Sequence, residues 1–133
     1  MSMSTEIEML IYALLLFVVT ILVQTLNGVR VYGMAAMSGT REDLPATPPL
    51  FQGRVNRTVA NQIEGLILFA PAVLAADAIG LSTATTVLGA QLYLGGRVVH
   101  AVAYMFGINY VRTLAFLASM IGTLMILAAL LGV

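Results

Sequence analysis

The chain of 133 residues contains no cysteine and no lysine, one histidine, and charged side chains at only 9% of its positions. Without cysteine there are no disulfides, no thiolate metal sites and no cysteine nucleophile. A lone histidine with six acids scattered along the chain gives no metal-binding cluster. Six basic residues against six acidic ones leave a formal net charge of zero, which removes any electrostatic case for nucleic acid or for a polybasic surface. The low charge is itself diagnostic, since a soluble domain carries about 25% charged residues. With 60% hydrophobic residues and a mean hydropathy of +0.99, the composition is that of an integral membrane protein of one domain. That all six cations are arginine matters chemically. A guanidinium grips carboxylates with a planar two-pronged fork and an ammonium does not. The bias fits anion recognition, and a GC-rich genome would produce it equally.

Residues 9–29 carry no charge, enough to cross a bilayer, for which about 20 residues suffice. A cleaved signal peptide fits poorly, because the start is acidic and the run is too long. Thr5 and Glu8 have capping-box spacing, so a retained first span is expected over 6–32. The segment 33–50 holds Pro45, Pro48 and Pro49 with Arg41, Glu42 and Asp43, and reads as a water-facing loop. A second span is expected over 51–76 with a kink at Pro71, a turn at Gly80 with Ser82 as N-cap, a third span over 83–106, a break capped by Asn109, and a fourth span over 110–131. The fold class that follows is all-α, a transmembrane up-down four-helix bundle. Arg41, Arg54, Arg57 and Arg112 flank the first and third connections, while Glu6, Glu8 and Asp77 mark the other side. The positive-inside rule then puts the loop over 33–50 and the arginine-rich end in the cytoplasm.

Two polar ladders stand out. Arg54, Arg57, Asn61 and Glu64 fall within an arc of about 80° on one side of a helix and span ~15 Å along its axis. Arg97, His100 and Tyr104 lie within about 60° of one another on the third span. Antiparallel packing brings Glu64 to the depth of Arg97, which predicts a buried ion pair between them. Ionisable groups inside a span are expensive and usually bind something. With Arg30 and Arg112 at the rim, five arginines face one glutamate, which suits a small ligand with more carboxylates than amines. The plainer readings are that Arg54 and Arg57 snorkel to headgroups, that Tyr32, Tyr104 and Tyr110 form an aromatic belt, and that His100 is a packed core residue.

At these residues the sequence resembles the family of membrane-associated proteins in eicosanoid and glutathione metabolism (MAPEG), as a bacterial-type member close to the microsomal glutathione transferase and prostaglandin E synthase branch. The second-helix pattern Arg-x-x-Arg-x-x-x-Asn-x-x-Glu stands as Arg54, Arg57, Asn61 and Glu64. The third-helix pattern Arg-Val-x-His-x-Val-Ala-Tyr stands as Arg97, Val98, His100, Val102, Ala103 and Tyr104. Val29-Arg30 matches the end of the first helix. The resemblance implies a homotrimer in which glutathione, as co-substrate, lies between protomers near the cytoplasmic side. Arg57, Asn61, Glu64, His100 and Tyr104 would line the site, with Arg54, Arg97 and Thr113 beside it and Arg30 reaching in from a neighbour. Arg112 would be the catalytic arginine. Two departures bear on activity: Gly65 and Leu66 stand where an aromatic is common, and Phe116 stands where a tyrosine is common. The expected function is a membrane glutathione-dependent transferase or peroxidase acting on lipophilic electrophiles, in an inner membrane. The rivals are a non-catalytic lipid- or glutathione-binding scaffold and a small proton-coupled transporter subunit. Lipids, a lipophilic substrate and other copies of the chain are the expected partners, and nucleic acid is not.

Overall fold

Apolar residues occur all round each long helix rather than along one stripe, which is the pattern of helices that meet protein on one side and lipid on the other. In the computed structural model, which describes residues 2–133, the chain forms α1 (Thr5–Tyr32), α2 (Met34–Ser38), α3 (Leu50–Ala78), α4 (Ala84–Met105) and α5 (Asn109–Leu130), with no strand among the described residues. The four long helices make an antiparallel bundle. α1 packs on α3 and α4, α5 packs on α3 and α4, and α3 also touches α4, so that α1 and α5 occupy opposite corners. Three helices, α1, α3 and α5, are long and apolar enough to cross a membrane. α4, the third of the four expected spans, is not among them, although its 22 residues give it the length. It carries Gln91, Arg97 and His100, of which Arg97 and His100 are buried inside the bundle.

The interior is built from small residues. Ala13, Ala72, Val73 and Ala90 cluster with a stacked pair, Phe69 and Tyr93, whose ring centroids are 3.7 Å apart. α4 and α5 cross at glycines. A Cβ on Gly96 would fall 2.7 Å from the Ala115 carbonyl oxygen, and one on Gly89 would fall 2.6 Å from that of Gly122. Such close backbones are the usual way helices gain packing in lipid, where no hydrophobic force draws them together. Large apolar side chains such as Leu15, Leu22, Leu26, Leu114 and Leu124 point outward.

The ends differ from several local expectations, each for a tertiary reason. Ser4, not Thr5, caps α1, accepting a hydrogen bond from the Ile7 amide at 3.3 Å. Thr83, not Ser82, caps α4, and exchanges hydrogen bonds with Thr86 in a capping box. Ser82 is free to donate to both carboxylate oxygens of Glu6 at 3.0 Å, and Thr86 also donates to Glu6. The buried Glu6 thus ties the start of α1 to the start of α4, where the helix dipole favours an anion. Ile108 is the N-cap of α5, and Asn109 is its first helical residue. α3 continues as helix through Pro71, and the expected loop over 33–50 contains the short helix α2.

Candidate functional site

The acidic and basic ends of the bundle are separate. Glu6 and Glu8 begin α1 and Asp77 ends α3, whereas Arg30 ends α1, Arg54 and Arg57 begin α3 and Arg112 begins α5. Arg97 lies eight residues before the end of α4, ~12 Å deeper. Helix direction alone therefore gathers the arginines at one end.

Within that end, α3, α4 and α5 converge on a cavity of about 190 Å³ lined by Asn61, His100, Tyr104, Arg112, Thr113 and Phe116. The Arg112 guanidinium carbon sits 4.7 Å from the centroid of the Tyr104 ring, and that of Arg57 sits 5.8 Å from it. The His100 ring is tilted against the same tyrosine at 5.5 Å. Tyr104 thus holds two cations, and no carboxylate lines the cavity. His100 is buried, and its Nδ1 has no hydrogen-bond partner among the described residues. A second cavity of about 120 Å³ adjoins it, lined by Asn61, Glu64, Gly65, Leu68, Arg97, Phe116 and Met120. Asn61 and Phe116 line both.

The expected Glu64–Arg97 ion pair is not formed. Glu64 and Arg97 line the same cavity, but Glu64 is exposed, and the Arg97 guanidinium donates to Asn61 instead, at Oδ1 and, at 3.4 Å, at the main-chain oxygen. The reason is space. A Cβ on Gly65 would lie 2.9 Å from the Arg97 Cζ and Nη2 atoms, so the guanidinium occupies the room that Gly65 leaves bare. The rings of Tyr93 and Phe116 flank it at 5.4 and 5.9 Å.

Of the other expected site residues, Thr113 is exposed at the cavity mouth and Arg57 is exposed beside Tyr104. Arg54 is turned elsewhere. Its guanidinium packs on Gly107, where a Cβ would meet Nη2 at 2.7 Å, so it braces the α4–α5 turn. Arg30 is exposed on α1 and lines neither cavity. Sequence reasoning missed Gly65 and Phe116 as walls of the site, though both were noted as departures. It also missed an amide group joining α1 to α3, in which Asn27 donates to Gln52 at 2.8 Å and Gln24 and Gln52 each donate to Asn56 at 3.0 Å. Three larger spaces lie outside the two site cavities, one of them, of about 270 Å³, between α2 and the loop that follows it. Another of about 350 Å³ is over that amide group, and an apolar groove of about 400 Å³ runs along α4 and α5, lined by Gly95, Val99, Val111 and Leu114 among others.

The MAPEG family model matches residues 9–132, nearly the whole chain. The chain belongs to the MAPEG family. No curated protein and no solved structure matches it. The MAPEG fold is a helical membrane bundle, as found here, and the protein is an integral membrane protein. The MAPEG family includes glutathione transferases and related enzymes, and its members generally use glutathione.

Proposed function

We propose that the protein is a membrane-embedded glutathione-dependent transferase or peroxidase that acts on lipophilic electrophiles. The observation that carries this reading is the cavity where Arg112, Tyr104, His100 and Asn61 meet without a carboxylate, with Arg57 beside it. Glutathione brings two carboxylates, one ammonium and a thiol. In this reading the arginines take its carboxylates, the exposed Glu64 takes the ammonium, and Arg112 faces the sulfur. A free thiol has a pKa of ~8.5, and a nearby guanidinium favours the thiolate. The thiolate attacks an electrophilic carbon, the new S–C bond forms and the leaving group departs with its electron pair. With a hydroperoxide, two glutathiones become the disulfide while the peroxide becomes alcohol and water.

A second feature supports a site completed by another copy of the chain. Glu64 lies 14 residues into α3, ~21 Å along a span, yet it is exposed. A carboxylate facing lipid at that depth is costly. A neighbouring protomer in a homotrimer would cover it and would bring its own Arg30 to the site. The arginine-rich end then faces the cytoplasm of an inner membrane.

The test is ultraviolet difference absorbance of the purified protein on adding glutathione, together with conjugation of an aromatic electrophile. A thiolate band that disappears in Arg112→Ala, with loss of conjugation, is expected. No band in the parent protein, or a band unchanged in Arg112→Ala, would refute the role of Arg112. Phe116 favours one rival, a non-catalytic glutathione- or lipid-binding scaffold, because it lines both cavities and offers no hydroxyl to the sulfur. Glutathione binding without any conjugation or peroxidase turnover would establish that rival.

A further inference from the structure

Arg97 and Asn61 form a side-chain contact between the two small cavities, and its chemistry has a direction. A guanidinium has donors only, so it selects the oxygen of the Asn61 amide. Toward Arg97 Asn61 acts only as an acceptor, which leaves the two protons of Nδ2 for the ligand, and Asn61 lines the cavity that contains His100, Tyr104 and Arg112. Arg97 is held through Nη1 and by packing, while its buried Nε has no partner among the described residues. It is buried, it rests on the bare backbone of Gly65, and it is flanked by Tyr93 and Phe116.

We propose that Arg97 is a positioning residue, which holds the Asn61 amide with Nδ2 turned to the cavity so that Asn61 recognises an acceptor group of the ligand, and that Gly65 is required to admit the guanidinium. The Asn61 contact is then to a carboxylate, a carbonyl or the sulfur of the ligand, and not to its ammonium. This rests on the reading of the cavity as a glutathione site, and it makes a claim about Asn61 that can be tested separately.

The deciding variant is Asn61→Asp. It keeps an oxygen for Arg97, as a stronger ion pair, removes the two donors and puts a negative charge in their place, which would tighten binding if the ligand's ammonium lay there and weakens it if an acceptor group does. The protein should unfold no earlier than the parent, while its dissociation constant for glutathione, measured by titration calorimetry in micelles, rises roughly 10- to 100-fold, the loss of one hydrogen bond to a charged acceptor. A purely structural role for Asn61 predicts no such split between stability and affinity. The second arm needs no ligand. In protein labelled with ¹⁵N asparagine, the side-chain amide signal of Asn61 should shift and sharpen in Gly65→Ala, where the new Cβ meets the guanidinium at 2.9 Å, and in Arg97→Lys, which lacks the fork. Unchanged glutathione affinity in folded Asn61→Asp, or an Asn61 amide signal indifferent to both other substitutions, overturns the proposal. Should the parent protein bind no glutathione, the functional reading falls, and the amide signals alone decide whether Arg97 orients Asn61. Should Asn61→Asp fail to fold, the Arg97 contact cannot accept a carboxylate and the proposal falls with it.

Discussion

Gly95 and Gly96 are adjacent on α4, and the structure predicts opposite outcomes for the same substitution at each. A Cβ on Gly95 meets nothing within 4 Å, because it points into the open groove between α4 and α5. A Cβ on Gly96 points at α5, 2.7 Å from the Ala115 carbonyl oxygen and 2.9 Å from the Ser119 nitrogen. Both are backbone atoms and cannot turn aside. To bring the shorter contact from 2.7 to 3.4 Å, the two helices must part by about 0.7 Å. A gap of that size forfeits a quarter to a half of each van der Waals well, and over roughly two dozen atom pairs at ~0.1–0.2 kcal/mol this loses ~1 kcal/mol. Strain in those that do not move raises the expected cost of Gly96→Ala to about 1–3 kcal/mol. Gly95→Ala should instead stabilise by about 0.5–1 kcal/mol, since alanine is the better helix former and nothing is displaced. The assay is loss of helical circular dichroism as sodium dodecyl sulfate is titrated into mixed micelles. Equal effects of the same sign, or a worse result at Gly95 than at Gly96, would refute the placement of the α4–α5 seam.

Other substitutions probe the rest of the frame by the same unfolding titration. Glu6→Ala leaves the Ser82 and Thr86 hydroxyls without their acceptor and removes an anion from the start of α4, for an expected loss of about 2–4 kcal/mol, whereas Glu6→Gln keeps one acceptor oxygen and should lose about half of that. Gln62 donates to Thr20 at 3.0 Å but its buried Oε1 has no partner among the described residues, so Gln62→Leu should be neutral or stabilising, while Thr20→Val orphans the whole amide and should cost about 1–3 kcal/mol. Gly107→Ala combines a backbone φ of +73° with a clash against Arg54 and should cost about 1–2 kcal/mol. Arg54→Ala in that background should recover the part due to the clash and none of the part due to φ.

What could be read from the sequence is what depends on periodicity. The long uncharged runs and the spacing of the arginines gave four long helices and placed Arg57, Asn61, His100, Tyr104 and Arg112 at one end of the bundle, where they are found. α2 was missed: Met34, Ala35, Ala36 and Met37 are good helix formers between two glycines, but the prolines that follow pointed to a loop over 33–50. What failed depended on contacts distant in sequence. Ser82 looked like a cap until Glu6, 76 residues away, took its hydroxyl. Glu64 and Arg97 were matched by depth and opposite charge, which says nothing of the space beside them. Arg97 goes where there is room, and the room is set by an absent side chain at Gly65. Arg54 had the spacing of a ligand contact, yet the bare Gly107 turn captures it.

These particulars divide the molecule along its length. Between Gly89 and Gly96 the α4–α5 backbones touch at Gly89, Gly96, Ala115, Ser119 and Gly122. From His100 onward the same two helices present histidine, tyrosine, arginine and phenylalanine, side chains too large for such contact, and the cavity begins there. The seam and the Glu6 tie hold the helices in register, and the far end is left with buried polar atoms that find no partner among the described residues, His100 Nδ1 and Arg97 Nε among them. Buried polar atoms without partners destabilise a fold, so a protein that keeps them at one end must gain its stability at the other. It follows that removing Arg112 or His100 should leave the unfolding transition almost where it was, while a change of one methyl group at Gly96, which touches no ligand, should shift it.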